Sequence, residues 1–193
     1  MTIIKYSVIS IKILLFFILL TGIIYPLMVT GIAQILFKEK ANGSIVIIEG
    51  KAKGSILIGQ QSDSLRYFSP RPSYISYNPL PSGGSNIGVT NNKLRTLIID
   101  RKKRFTGYYG LNPNTVVPSE MLFSSASGLD PHIPPEAALL QIDRISENRK
   151  FSEVQRKELA ELISKLTEEP EFHLFGQRRI NVFLLNLSVD TIR

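Results

Sequence analysis

Serine, carboxylate and imidazole fall within eight positions of one another in this chain, as Ser125, Ser127, Asp130 and His132. A hydrolase of this type needs the acid to orient the imidazole and the imidazole to reach the hydroxyl. Residues this close on one loop rarely meet that geometry, and no nucleophile elbow flanks either serine. The plainer reading of Asp130-Pro131-His132 is a turn, which Asp before Pro favours. Two alternatives to a structural role stay open: a membrane-anchored serine hydrolase using Ser125 or Ser127 with His132, and an anchored small-molecule receptor. Gln141 and Arg144 lie one helical turn apart, so amide and guanidinium project on the same side. Such a pair can grip a carboxylate, a phosphate or a partner backbone, or serve as the polar edge of an amphipathic helix. Ser82-Gly83-Gly84-Ser85 offers backbone donors but no following lysine, which makes it a tight turn before a phosphate cradle. His132 and His173 are the only histidines and show no ligand spacing, which argues against a metal site. Cysteine is absent, which excludes disulfides, thiolate ligands and cysteine nucleophiles.

The element that must position all of this is an N-terminal membrane span. Ile13 to Phe37 holds no charged residue and is closed off by Lys12 and Lys38. As a helix it is about 37 Å long, against roughly 30 Å of bilayer hydrocarbon. A cleavable leader has a shorter apolar core, and a buried soluble helix would show a polar face. Pro26 inside the run needs its freed carbonyl satisfied, often by a neighbouring helix. Tyr25 and Gln34 are costly against lipid, and Gly22 and Gly31 admit a second backbone. The span therefore reads as a helix packed against other membrane helices. Residues 1–12 are expected as a tail, 13–37 as the span, and 41–193 as one α+β domain, mixed α/β in composition.

Charge bounds the partners. The whole chain carries +7, but from Ala41 onward 19 Lys and Arg against 15 Asp and Glu leave only +4. That excess does not demand nucleic acid. Lys5 and Lys12 precede the span while Lys38, Lys40, Lys51 and Lys53 follow it, which taken alone leans toward a cytoplasmic domain.

Along the domain, Ser44–Ile48 and Ser55–Ile58 read as paired strands around Gly50 and Gly54. Residues 59–91 are a long loop rich in Pro, Ser, Gly, Asn and Tyr. Its prolines forbid a continuous helix, and Tyr67, Phe68, Tyr74 and Tyr77 suit packing on its own core or on a partner. A helix is expected over 92–104, with the Arg101–Arg104 basic run in its last turn. Ser119–Ser124 reads as a strand, and 125–133 as a loop. Pro134 and Pro135 open a helix running to Arg149. Ser152 and Gln155 form a capping box for a helix with Leu159, Leu162, Ile163 and Leu166 inward. Residues 179–189 read as a closing β-rich run.

In this order the motifs resemble the C subunit of the Kdp complex, the bacterial potassium-importing P-type ATPase, nearly end to end. Thr21-Gly22, Tyr25-Pro26-Leu27, Thr30-Gly31 and Gln34 carry the likeness in the span. Gly54-Ser55, Leu57-Ile58-Gly59-Gln60, Tyr67-Phe68 and Arg71-Pro72-Ser73 carry it next. The most distinctive segments are Ser82-Gly83-Gly84-Ser85-Asn86 with Gly88 and Thr90-Asn91, and Ser125 with Ser127-Gly128-Leu129-Asp130-Pro131-His132-Ile133. Gln141 and Arg144 match a Gln-x-x-Arg, and Asn181-Val182, Leu185-Asn186-Leu187 and Asp190 match a closing strand. Phe123, Pro134 and Asp143 depart from the expected Thr, Ser and Pro. The resemblance implies a non-catalytic, single-pass subunit of the inner membrane, with its soluble domain outside. It would assemble with a channel-like potassium-translocating subunit and an ATP-hydrolysing P-type subunit. It would act as a catalytic chaperone raising the latter's affinity for ATP, with no cofactor of its own and potassium as cargo. Gln141, with Arg144, is the position tied to that role. Tyr67, Phe68, Arg71, Ser82–Asn86, Gly128, Leu129, Asp130 and His132 are the implied partner contacts. ATP lies across the membrane, so any effect on it would travel through coupled conformations.

Overall fold

A computed structural model describes residues 2–62 and 64–192. The chain forms a long N-terminal apolar helix followed by a domain of helices with small two-stranded sheets. Two compact units result, Met1–Ser55 and Ile56–Arg193.

In the first unit, α1 (Thr2–Leu19) runs through a π-turn (Leu20–Ile24) into α2 (Tyr25–Leu36). Helix therefore already covers residues 2–12, ahead of Ile13. The π-turn has a local cause. Pro26 has no N–H to offer the Gly22 carbonyl and its ring crowds that carbonyl, so the helix widens and the Tyr25 N–H bonds Leu20 O instead. Ile3–Leu36 is long and apolar enough to cross a membrane, and none of it is buried in the protein. A short turn of helix, α3 (Lys38–Ala41), leads to an antiparallel hairpin, β1 (Ile45–Ile48) and β2 (Lys51–Ser55). The second strand thus sits earlier than the expected 55–58. Glu49 and Gly50 both take positive φ, the two-residue turn that matches strand twist, so pairing must resume at Lys51.

The second unit confirms the long loop over the described residues 59–62 and 64–91. Its first helix, α4 (Asn92–Tyr108), starts on the Asn91 side chain, which accepts the Lys93 N–H, and outlasts the expected end by a turn. The basic run is therefore internal to the helix, and Arg101 donates to Leu122 O at 2.7 Å and Ser124 Oγ at 3.2 Å. Residues 119–124 are not a strand. Met121 and Leu122 are adjacent and both buried, which a strand with one solvent face does not allow; a 3-10 turn (Ser119–Met121) turns both inward.

β3 (His132–Ile133) pairs antiparallel with β4 (Ile180–Asn181). The helix expected from Pro134 to Arg149 is broken in two, α5 (Pro135–Leu139) and α6 (Ile142–Arg149), with Gln141 at the break. The capping box is present: Ser152 N donates to Gln155 Oε1, Gln155 N to Ser152 Oγ, and α7 (Glu153–Leu166) follows with Leu159 and Ile163 buried. The closing run is a helix, α8 (Val182–Val189), after two residues of strand. Asn181 Oδ1 accepts the N–H groups of Phe183 and Leu184, the N-cap bond that diverts the chain. Val182, Leu185 and Val189 then share one buried face at helical spacing. The helices α6, α7 and α8 close the core around Ile145, Leu159 and Leu185, each fully buried.

Candidate functional site

The polar groups singled out in the sequence gather into two neighbouring networks, and both hold the chain's own loops. The first grips residues 66–69 of the long loop, a strap laid across the helices. Gln141, fully buried, accepts the Ser69 N–H at 2.8 Å and the Tyr109 hydroxyl at 2.9 Å on Oε1, while its Nε2 donates to Ser69 O at 3.4 Å. Only this amide orientation lets both hydrogens donate to oxygen. Burial pushes the Tyr109 hydroxyl's pKa up, which keeps its proton available. Arg144 donates to Tyr67 O, and its guanidinium lies 4.7 and 4.6 Å from the ring centres of Tyr108 and Tyr109. Asn186 on α8 brackets Phe68, accepting its N–H at 2.7 Å and donating to its carbonyl at 2.9 Å. Arg149 donates to Arg66 O, pairs with Asp190 at 2.7 Å, and covers the Tyr67 ring; Tyr67 in turn donates its hydroxyl to Asp190.

The second network centres on Asp130. Arg71 Nη1 meets Oδ2 at 2.7 Å, and Oδ1 accepts the His132 N–H at 3.0 Å and lies 3.1 Å from His132 Nδ1. Burial pushes the Asp130 carboxyl up, but the His132 side-chain and backbone bonds, with the Arg71 charge, overrule it and hold the pKa at about 2. A folded-state pKa below the ordinary 3.8 means that ionised Asp130 stabilises the fold at neutral pH and loses that effect as pH falls from about 4 toward 2. The expected result is that the stability gap between the natural chain and Asp130→Asn is constant above about pH 5 and closes between about pH 4 and 2. Denaturant melts at a series of pH values measure it, and a gap that does not move with pH would refute the assignment.

The Ser82–Asn86 segment, which forms no regular turn, packs beside this network. Gly83 N donates to Ser127 O at 3.0 Å, and Gly84 leaves room for the Ala126 carbonyl. Gly128 takes φ +71°, and a Cβ there would stand 2.7 Å from Ile75 Cγ1. Only glycine meets both demands.

The expected partner contacts divide accordingly. Phe68, Gly128 and Leu129 are buried, so they cannot form a contact surface; they hold the loops together instead. Gln141 and Arg144 are likewise buried and already grip a backbone, that of this chain. Tyr67, Arg71, Asp130 and His132 are half-buried, as are Gly83, Gly84 and Ser85, while Ser82 and Asn86 are exposed. The serine–histidine arrangement is half realised. Asp130 does meet His132, but Ser125 Oγ accepts the Asp130 N–H at 3.4 Å and Ser127 Oγ the Leu129 N–H at 3.1 Å, as local turns do. In the span, Gln34 and Asn42 exchange two amide bonds of 3.2 Å, so Gln34 does not require a neighbouring helix. Tyr25, Pro26, Gly22 and Gly31 remain uncovered, and a Cβ at either glycine would meet nothing. Arg149 and the gripping role of Asn186 escaped the sequence reading; the available signal was an asparagine inside the apolar run 182–189.

The family model for KdpC, described as K+-transporting ATPase, c chain, matches residues 7–191. A Leptospira interrogans protein, the potassium-transporting ATPase KdpC subunit, is 43% identical over 183 residues, covering 95% of this chain and 92% of its own. Proteins of the same description from Koribacter versatilis and Geobacter metallireducens are 42% identical over 176 residues and 41% over 189, covering 89% and 95% of this chain and 86% and 96% of their own.

Proposed function

The chain belongs to the KdpC family of potassium-transporting ATPase subunits, and from that membership we propose that it is an accessory, non-catalytic subunit anchored by one helix. It assembles with a potassium-translocating, channel-like subunit and an ATP-hydrolysing subunit, and raises the latter's affinity for ATP. The soluble unit stands on the outer side of the cell membrane. The observation that carries this reading is the uncovered apolar helix Ile3–Leu36. Lipid alone can cover it, but Gly22 and Gly31 leave notches that a second helix would fill with backbone contact. The polar network fits the same reading. Gln141 is sealed from solvent, so its influence on nucleotide passes through the position of the strap, as a coupling between distant sites.

The test is the ATP dependence of the purified complex. Gln141→Ala is expected to raise the ATP concentration for half-maximal hydrolysis about fivefold or more, the scale of a coupling of about 1 kcal/mol or above. Gln141→Glu sets a carboxyl group against the Ser69 carbonyl in a sealed site, so it should shift the ATP dependence at least as far. If the ATP dependence stays put while the variant chain is less stable, Gln141 is a structural residue only. If the natural chain, isolated in mild detergent, brings along neither a multi-span protein nor an ATPase, the accessory role itself fails.

A further inference from the structure

Residues 168–179 form a hairpin whose tip the networks above leave unused. Glu168 and Arg179 exchange backbone hydrogen bonds of 2.8 and 3.1 Å, and Glu171 and Phe175 exchange two of 2.9 Å. Ion pairs brace the stalk on both sides, Arg179–Glu168 at 2.8 Å and Arg178–Glu169 at 2.9 Å. At the tip, Phe172 and His173 take φ of +54° and +57°, a left-handed conformation that costs a side-chain-bearing residue energy. The stalk holds them there, and the result is a presentation of apolar surface: Phe172 is 84% exposed, Leu174 79% and Phe175 68%. At the base of the stalk Gln177, Arg178 and Arg179 line a polar depression of about 290 Å³ whose far wall is Arg71, Asp130 and His132.

We infer that this tip is a docking knob for an apolar socket on a membrane-embedded protein subunit, with the polar depression at its base as the rim of the same interface. The inference rests on the accessory-subunit reading. An apolar centre bordered by arginine-bearing polar surface is the anatomy of a protein interface. A lipid surface fits less well. Glu168, Glu169 and Glu171 lie along one arm of the stalk, and Glu171 makes no ion pair among the described residues, whereas anionic headgroups select lysine and arginine. A second copy of the chain fits less well too. Two phenylalanine rings at about 150–250 Å² each, even with Leu174 beside them, fall short of the roughly 800 Å² per partner that a free-standing interface buries. The knob is sized for a partner already held nearby, as a subunit tethered in the same membrane is, by effective concentration.

The experiment uses the full-length tagged chain expressed with the other two subunits. In the triple variant Phe172→Ser, Leu174→Ser, Phe175→Ser, the multi-span subunit retained per tagged chain through a detergent wash is expected to fall about tenfold, with the melting temperature of the variant chain unchanged. Equal retention overturns the inference while leaving the accessory role intact. Loss of all partners by the natural chain overturns both. The photo-reactive residue p-benzoylphenylalanine placed at Phe172 supplies a readout independent of variant folding. An adduct with the multi-span subunit supports the knob; adducts only with lipid, or only with a second copy, overturn it.

Discussion

Phe68→Ala is expected to lower the melting temperature of the full chain in detergent by on the order of 10 °C, from a loss of about 3–5 kcal/mol. Phe68 is the largest fully buried side chain among the described residues, and it belongs to a loop rather than to a helix or strand. Its ring is the apolar anchor of the strap, and its N–H and carbonyl are both held by Asn186. Removing the ring leaves a cavity in the core cluster that Phe68 shares with Ile145, Leu159 and Leu185. It also loosens the segment on which Gln141 and Arg144 depend, exposing buried polar groups to the loss of their partners, at about 1–3 kcal/mol each. The effects of Phe68→Ala and Gln141→Ala should therefore not add. A double-mutant cycle in thermal or urea unfolding measures the shared part, expected at about 1–2 kcal/mol. Full additivity would mean that the strap is not one cooperative clamp.

Gly22→Arg should abolish recovery of the partner subunits and, with it, growth at limiting potassium. Gly22 lies in the π-turn, near the middle of Ile3–Leu36, with open space where a Cβ would project. A guanidinium there would face either hydrocarbon or the close surface of a neighbouring helix. The cost at the bilayer centre is about 3 kcal/mol by insertion measurements and more by simulation. Alkaline extraction of membranes separates the two ways of failing: a chain still resistant to extraction but without partners has lost packing, and one released has lost its anchor. Gly22→Leu keeps the anchor apolar while filling the notch, so it should reproduce the packing defect alone. Undiminished assembly in both variants would remove Gly22 from the contact.

Particular elements show what could be read without coordinates. The span was legible because apolarity over so many residues has few other physical uses, and the capping box because its two bonds are local. Residues 44–48, the helix after Asn91 and the long loop were legible for similar reasons, since turn residues and prolines act on their immediate neighbours. The closing run 179–189 misled because a short, mostly apolar stretch shows too few polar positions to reveal its period. Residues 119–124 misled because a short apolar run, Met121–Phe123, looks like strand until the 3-10 turn is seen. The shifted second strand followed from a two-residue turn at Glu49-Gly50 that outweighed the β-branched pattern.

The candidate site divides the same way. Sequence alone determined the family resemblance, the anchor, and the residues worth watching, Gln141 and Arg144 among them. It could not say what they hold. The partners of Gln141 are a backbone 72 positions away and a tyrosine 32 away, and Asn186 grips a loop 118 positions upstream. Such bonds depend on distance in space, which no local spacing encodes. Tertiary structure alone decided that these amides and guanidiniums are spent on the chain's own strap, that Phe68 lies inside, and that Phe172, Leu174 and Phe175 lie outside. The reason is that burial is settled by which surfaces meet when the helices close, and identical side chains are core or contact according to that closure.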